Sequence, residues 1–391
     1  MYNFDEIIDR ANDEYSYSSK WASDGFAKAC FGNKDLPKNR ICLHVADMDF
    51  RCAPAIIEGI KKVVNTSIFG YSAPKKSYYE AIINWYRDRY NLDIGKAKIF
   101  HSHGTHEAIK EAIFRLTHEN DYVIVLTPSY SYHRDIEGIN RSMLAVKMIN
   151  DNGNYRIDYE AFANACLKSK VFVLCNPHNP TGKIFSDDEL IKLAAICRRN
   201  GVTIISDEVH GDIVRCDKCF KPLVKVVGSA GIITCNGINK TFNLAGLASS
   251  YFFFEDNKYD NYYHNYFSSL SPFEIIATIS AYNDSKEWVN ELNKYLDLEI
   301  EEVVNFIHQY LPKAKVVKPE GTYILWVDFR GYGLSDAIIH QKIYDNAHVV
   351  AQSGDHFDEE DKEQFQRFCI ASPKKMVLEA FRRISDEFKN C

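Results

Sequence analysis

The sequence predicts an α/β protein with two unequal domains: a large domain built on a mostly parallel β-sheet covered by helices, and a smaller α+β domain. Continuous apolar runs alternate with helical segments between residues 122 and 254, which is typical of strands buried on both faces. The chain has 391 residues, of which 46% are hydrophobic. Cores tend to divide beyond about 250 residues, so we expect a second core.

The predicted domains divide the chain into three parts. Residues 1–45 are polar and aromatic and are predicted to form an N-terminal arm and part of the small domain. Residues 46–285 are predicted to form the large domain, and residues 286–391 the C-terminal small domain. No internal repeat or flexible linker separates these parts, so we expect them to pack tightly.

The N-terminal third of the chain is predicted to be mainly helical. Pro54 suits the first turn of a helix over Ala55–Asn65, and a second amphipathic helix is predicted over Lys76–Tyr90. Gly104 and Thr105 then begin a third helix, where glycine lets the backbone approach a ligand and threonine caps the helix. The free N–H groups and the dipole of such an N-terminus favour a phosphate group.

Five apolar runs are predicted to form strands of the sheet. They are Tyr122–Leu126, Val171–Cys175, Val202–Ser206, Ile232–Cys235 and Ser250–Phe254. In an open parallel sheet the ligand lies beyond the carboxyl ends of the strands, and polar residues follow each of the first four runs.

The last third of the chain has a different pattern. Helical periodicity runs with breaks from about Ser271 to Leu311, and Gly321–Asp328 alternates like a half-buried strand. Met376–Phe388 has the pattern of an amphipathic helix. This mixture predicts the α+β architecture of the small domain.

Charge and composition exclude several classes of partner. The net charge of −6 provides no broad basic surface for nucleic acid. The N-terminus lacks the basic start and apolar stretch of a secretory signal, and no apolar run approaches the roughly 20 residues that a membrane span needs. We therefore expect a cytoplasmic protein without nucleic-acid or membrane partners.

The eleven cysteines are an odd number without the spacing of a disulfide framework, so we expect reduced thiols. Cys216 and Cys219 form a C-x-x-C pair, but a zinc site would need further ligands nearby. His101, His103 and His106 invite the same reading, yet they lack a carboxylate partner in their loop. No metal site is predicted.

Polar residues after successive strands fit the chemistry of pyridoxal 5'-phosphate. Lys240 can form a Schiff base with an aldehyde, and Asp207 can keep a pyridine nitrogen protonated so that the ring accepts electrons. Asn179 can donate to the phenolic oxygen, and Tyr130 can stack on the ring. The helix that begins at Gly104 and Thr105 would take the phosphate.

Five segments resemble those of fold-type I pyridoxal phosphate enzymes. They are Val45–Phe50, Phe69–Ser72, Asn176–Gly182, Asp207–His210 and Lys240–Leu247. Among such enzymes the chain resembles the MalY/PatB-type cystathionine β-lyases, also called C–S lyases. The resemblance implies the fold-type I transferase architecture with a seven-stranded sheet.

The resemblance also implies roles for further residues. His210 would lie on the side of the phenolic oxygen, and Arg367 would grip the substrate carboxylate. Tyr71 would reach the phosphate of a neighbouring subunit, which implies a homodimer with shared active sites. Asn239 stands where the family usually has a serine that contacts the phosphate. Cys369 and Lys374 also depart from the family pattern, near the expected position of the substrate.

The implied reaction is an α,β-elimination from L-cystathionine or a related L-cysteine S-conjugate. It gives a thiol, such as homocysteine, together with pyruvate and ammonia. Transamination of an amino acid is the alternative, because it would use the same Lys240 and Asp207. A regulatory protein that binds pyridoxal phosphate without turnover is a third possibility.

Overall fold

Among the residues that the structure describes, seven strands form one large sheet. The structure is a computed structural model that describes residues 2–12, 15, 18–22, 27–28, 31, 36–358 and 364–391. The strands in chain order are β1 (Ile41–Cys42), β2 (Lys98–His103), β3 (Tyr122–Thr127), β4 (Ser142–Lys147), β5 (Ile149–Asp151), β6 (Asn154–Arg156), β7 (Ser169–Cys175), β8 (Thr203–Asp207), β9 (Ile232–Gly237), β10 (Ser249–Phe254), β11 (Lys315–Val316), β12 (Ile324–Asp328), β13 (Val349–Val350), β14 (Gln352–Ser353) and β15 (Phe365–Cys369).

The large sheet confirms the predicted α/β fold class. Its strand order is β2-β10-β9-β8-β7-β3-β4, and β10 runs antiparallel to its two neighbours. The strands β2 and β4 were not predicted. They form the two edges of the sheet and contain mostly half-exposed residues, so they lack the continuous apolar run of a central strand.

Helices cover both faces of this sheet. The helices in chain order are α1 (Pro54–Thr66), α2 (Lys76–Tyr90), α3 (Thr105–Leu116), α4 (Tyr132–Glu137), α5 (Tyr159–Cys166), α6 (Asp187–Arg199), α7 (Leu223–Val227), α8 (Ile238–Thr241), α9 (Asp260–Tyr263), α10 (Pro272–Asp284), α11 (Lys286–Tyr310), α12 (Asp336–His340) and α13 (Lys374–Phe388). Short 3-10 turns span Ala245–Leu247, Asn257–Tyr259, Arg330–Tyr332 and Gly354–His356, and a π-helical turn spans Gln341–Asn346. None of the helices in the described part of the chain is long and apolar enough to cross a membrane.

The central strands are apolar on both faces because each face meets a separate core. Ile204 on β8 packs in a cluster with residues of α5 and α6, whereas its neighbour Ile205 packs in a cluster with residues of α3. Successive side chains of a strand point to opposite faces, so a strand covered on both sides must be apolar at every position. This arrangement explains the continuous apolar runs in the sequence.

The C-terminal part of the chain contains a second, four-stranded antiparallel sheet. Its order is β11-β12-β15-β14, and α11 and α13 pack together beside it. The predicted strand Gly321–Asp328 begins only at Ile324, because Gly321 bridges to Val214 instead. The predicted helical region divides at Ser285, between α10 and α11. The boundaries of the proposed domains stay a prediction.

The N-terminal segment is attached to residues 47–49 by buried ion pairs. The Lys20 ammonium is fully buried and lies 2.6 Å from Oδ2 of Asp49, while Arg10 contacts Asp47 and Asp49, each at 2.8 Å. Burial opposes ionisation of Asp49, but Lys20 and the hydrogen bonds around the carboxylate outweigh burial and lower its pKa. The arm therefore holds the segment that follows Ala46.

Removing one partner of this buried pair should destabilise the fold. We expect Lys20→Met to lower the free energy of unfolding by about 3–5 kcal/mol, because it leaves the Asp49 carboxylate without its main charge partner. Urea denaturation measures this value. Lys61→Met is the matched control, since Lys61 forms an exposed pair with Glu58 and should change stability by less than about 1 kcal/mol. Equal effects of the two substitutions would contradict the assignment.

Candidate active site

A cavity of about 320 Å³ lies beyond the carboxyl ends of the central strands. Eight of the ten predicted site residues line it: Gly104, Thr105, Tyr130, Asn179, Asp207, His210, Asn239 and Lys240. A second cavity of about 380 Å³, beside Lys183 and Lys218, contains none of the predicted residues. The location of the chemical groups, rather than the volume, therefore identifies the first cavity as the candidate site.

Strand register brings these residues together. Asp207 at the end of β8 pairs with Cys175 at the end of β7 on one side and with Cys235 on β9 on the other. Asn179 follows β7, and Lys240 lies in α8 directly after β9. Parallel strands in register end at the same edge of a sheet, so the residues that follow them converge.

Lys240 contacts the segment that contains Ala46 and Met48. Its Nζ donates to the carbonyl oxygen of Ala46 at 2.8 Å, and the Tyr323 hydroxyl donates to the same oxygen at 3.3 Å. The side chain of Asn243, three residues after Lys240, accepts from the backbone N–H of Met48 and donates to its carbonyl oxygen. The lysine and its contact segment are thus fixed to each other.

Asp207 is a buried carboxylate with two donors. The Tyr132 hydroxyl donates to Oδ2 at 2.6 Å, and the backbone N–H of Val209 donates to Oδ1 at 3.2 Å. Burial raises the pKa of the Asp207 carboxyl, while Tyr132 and the nearby His106 oppose that rise. A carboxylate in this position can pair with a protonated ring nitrogen.

His106 also lines the cavity, although the sequence pattern indicated it only as a candidate metal ligand. Its Nδ1 is hydrogen-bonded to Asp135 on α4, and its ring lies 5.2 Å from the ring of Tyr130 and 5.9 Å from that of Tyr132. Burial disfavours the imidazolium, but Asp135 outweighs burial and raises the pKa of His106.

Tyr132, the residue that donates to Asp207, was not among the predicted site residues. The Tyr-Ser-Tyr pattern after β3 is the sequence signal that could have indicated a role for it in the site.

Arg367 lies next to the cavity on the central strand β15. It is buried, donates from Nη1 to Oδ1 of Asn179 at 3.3 Å and donates from Nη2 to the carbonyl oxygen of His44 at 2.6 Å. Its guanidinium carbon lies 5.5 Å from the centre of the Tyr130 ring. Burial lowers the pKa of Arg367, so an anion that contacted this cation would relieve an unfavourable environment.

His210 is a neutral imidazole in the same region. Burial, together with the positive charges of Lys240 and Arg367, lowers its pKa to about 3. Among the described residues, its Nδ1 has no hydrogen-bond partner. The ring can therefore contribute one free nitrogen to a ligand in the cavity.

The N-terminus of α3 and the residue before Lys240 form a polar corner. Gly104 has a φ of 107°, and no atom lies within 4 Å of the position that a Cβ would occupy there. The hydroxyl of Ser250 lies 3.2 Å from that of Thr105 and accepts from Nδ2 of Asn239 at 3.0 Å. Oδ1 of Asn239 has no partner in the described part of the chain. Sequence reasoning missed the place of Ser250 in the site, because Ser250 lies in β10, a strand otherwise notable for its aromatic residues.

Tyr71 lies away from the cavity of its own chain. Its side chain is fully exposed, and it follows the exposed residues Ile68 and Phe69. The ring of Phe69 stacks on that of Phe273 at 5.4 Å. The prediction that Tyr71 contacts a neighbouring subunit stays a prediction.

Comparison with known proteins places the chain among relatives of similar length. The family model for aminotransferase class I and II matches residues 38–384. The cystathionine β-lyase PatB of Bacillus subtilis is 32% identical over 98% of both chains, and the protein MalY of Escherichia coli is 26% identical over 96% of both chains.

A solved structure agrees with these relatives. The pyridoxal-phosphate-bound C–S lyase of Staphylococcus hominis superposes with a TM-score of 0.90 and 29% identity, over 99% of this chain and 98% of the lyase. The match therefore extends over both sheets and the candidate site. The family expected from the five sequence segments is confirmed: the chain belongs to the aminotransferase class I and II family.

Proposed function

We propose that the chain is a pyridoxal-phosphate-dependent C–S β-lyase. It would perform an α,β-elimination on L-cystathionine or a related L-cysteine S-conjugate and release a thiol, pyruvate and ammonia. The observation that supports this most directly is the convergence of Lys240, Asp207 and Arg367 around one cavity. The full-length similarity to PatB and to a C–S lyase structure favours elimination over the other reactions of the family.

The residues of the cavity fit the proposed cofactor. Lys240 provides an amine for its aldehyde, and the buried carboxylate of Asp207 suits its ring nitrogen. The open space at Gly104, the hydroxyl of Thr105 and the N-terminus of α3 suit its phosphate. The amide oxygen of Asn239 has no partner among the described residues. An amide oxygen cannot donate to the phosphate anion, so its partner would have to be a hydroxyl group or a water molecule.

The proposed mechanism divides the reaction among three side chains. When bound, the cofactor supplies a sink for the electron pair that is left when the substrate loses its Cα proton. Lys240 would remove that proton as a free amine, and Asp207 would hold the ring nitrogen in its protonated form. Arg367 would orient the substrate by binding its carboxylate, so that the Cα–H bond points toward Lys240.

Departure of the sulfur distinguishes the proposed lyase from an aminotransferase. Elimination requires a leaving group on the β-carbon, whereas transamination requires a 2-oxo acid to accept the amino group. Lys240 and Asp207 would serve both reactions. Amino transfer remains the second candidate because the matching family model is that of the class I and II aminotransferases.

A homodimer with shared active sites forms part of the proposal. Several large apolar side chains are exposed on α1 and just after it. They are those of Ile57, Val64, Ile68, Phe69 and Tyr71. Exposed apolar residues grouped in this way suit an interface between subunits. Tyr71 would then extend from one subunit to the polar corner of the other.

Substitution of the lysine tests the cofactor assignment. Lys240→Ala is expected to lose covalent cofactor and elimination activity, because none of the other described residues that line the cavity carries an amine. Borohydride reduction followed by peptide mapping should find the adduct on Lys240 in the wild-type protein. Lys61→Ala, on the exposed face of α1, is the control and should retain the visible absorbance of the covalently bound cofactor. An adduct on another lysine would contradict the assignment.

The reaction itself can be tested by its products. With L-cystathionine alone, we expect pyruvate and a free thiol, measured by a lactate dehydrogenase assay and a thiol reagent. L-Alanine is the matched control substrate, because it has the same Cα and carboxylate but no leaving group. Product that forms only after addition of a 2-oxo acid would replace elimination with amino transfer.

Mixing two inactive variants tests the shared site. Tyr71→Phe and Lys240→Ala damage the same site from different subunits, so a hybrid dimer should contain one intact site. If the phenol is essential, activity should recover to about a quarter of the wild-type value, since half of the dimers are hybrids with one good site each. Sedimentation velocity gives the oligomeric state, and a monomer at micromolar concentration would reject the model.

A further inference from the structure

Tyr132 makes a buried contact that the proposed mechanism does not use. It is the first residue of α4, and its side chain is almost completely buried. The 2.6 Å hydrogen bond from its hydroxyl to Oδ2 of Asp207 joins β8 to the segment that follows β3. Tyr130, two residues earlier, lines the same cavity. One short segment thus provides both the ring that would stack on the cofactor and a hydrogen-bond donor to Asp207.

The two oxygens of Asp207 have different partners. Oδ1 accepts from a backbone N–H of its own turn at 3.2 Å, whereas Oδ2 accepts from the Tyr132 hydroxyl at the shorter distance of 2.6 Å. A carboxylate oxygen has two acceptor positions, so each oxygen retains one for a ligand. Tyr132 can therefore remain bonded while Asp207 contacts the cofactor.

The position of one proton decides whether Asp207 can perform its role. In a buried pair of a carboxylate and a ring nitrogen, the proton lies on whichever group is more basic. Burial makes a carboxylate more basic, which favours a neutral pair and an unprotonated ring. A hydrogen bond donated to the carboxylate stabilises its anionic form and returns the proton to the ring nitrogen.

The surroundings of Asp207 also favour the anionic form of its carboxylate. The imidazole of His106 is hydrogen-bonded to Asp135, and its ring lies 5.2 Å from the ring of Tyr130 and 5.9 Å from that of Tyr132. A positive charge on His106 stabilises the anionic form of the Asp207 carboxylate. The thiol of Cys175, on the neighbouring strand, lies at the same level of the sheet as Asp207 and adds no charge while it is protonated, since burial raises its pKa to about 12.

We propose that Tyr132 is a positioning residue that acts through Oδ2 of Asp207 to keep the shared proton on the ring nitrogen of the cofactor. The inference rests on the proposed pyridoxal phosphate site. In this role the effect of Tyr132 would be transmitted by the Asp207 carboxylate, to which its hydroxyl donates.

Removal of the hydroxyl in Tyr132→Phe provides the test. Protein reconstituted with cofactor labelled with ¹⁵N in its ring is examined by NMR, because the ¹⁵N chemical shift reports protonation of that nitrogen directly. We expect the shift to move toward the unprotonated value, and kcat to fall about tenfold with little change in KM, as for loss of a charge-assisted hydrogen bond. An unchanged ¹⁵N shift would overturn the inference.

Tyr259→Phe is the matched control. Tyr259 is equally buried and donates its hydroxyl to Oγ1 of Thr203 at 3.0 Å, on the same strand as Asp207 but outside the cavity. Its substitution removes the same atom and should leave the ¹⁵N shift unchanged. A comparable shift in both variants would show a general loss of packing and would contradict a specific role for Tyr132.

A double variant separates transmission through Asp207 from other effects. In an Asp207→Asn background, Tyr132→Phe should cause no further change in the ¹⁵N shift, because the group that transmits the effect is gone. Additive changes would overturn the inference. If Tyr132→Phe fails to fold, 4-aminophenylalanine at position 132, which keeps the ring but is a weaker donor than a phenol, should move the wild-type shift toward the unprotonated value, and no movement would reject the role.

The same spectra distinguish failure of this inference from failure of the proposed function. Wild-type protein that holds the cofactor with a protonated ring, together with an unaffected Tyr132→Phe variant, would reject the inference alone. Wild-type protein that binds no cofactor would reject the proposed function and this inference with it.

Discussion

The candidate site depends on the parallel register of β7, β8 and β9. Asp207 lies beside Cys175 and Cys235, so the residues that follow these strands reach one edge of the sheet at the same level. A shift of one residue along β8 would exchange its two faces and turn Asp207 away from Tyr132. The two separate cores on the faces of the sheet prevent that shift, because each accepts only one set of side chains.

The second sheet contributes a cation, the Arg367 guanidinium, to the candidate site that contains the Asp207 carboxylate. Arg367 lies on β15 between β12 and β14, where Trp326 and Gln352 are its cross-strand neighbours. Its position in the middle of a sheet fixes the backbone, and the contacts with Asn179 and His44 fix the guanidinium. A rigid, buried cation would favour a planar carboxylate over a neutral ligand, as the proposed binding of an amino-acid substrate requires.

Sequence patterns were sufficient for the central strands and for the residues that follow them, because both depend on local signals. Continuous apolar runs indicated buried strands, and Lys240, Asp207 and Asn179 followed from their positions at strand ends. Contacts between distant segments left no such signal. The hydroxyl of Ser250 beside Asn239 depends on strand pairing, and edge strands such as β2 have no distinctive periodicity. In the proposed homodimer the surroundings of Tyr71 would depend on a second chain, which one sequence does not describe.

The ion pair between the arm and the segment after Ala46 has a consequence for the order in which the protein matures. Lys20 also donates to Ser372 at 3.2 Å, and the hydroxyl of Ser372 donates to Asp49 at 2.6 Å. The segment that contacts Lys240 is therefore held by Lys20 and Ser372, which are far apart in the sequence. During synthesis, which proceeds from the N-terminus, this set of hydrogen bonds is complete only after residue 372 has left the ribosome. Lys240 and the segment that contacts it are thus held together only after this late part of the sequence has been synthesised.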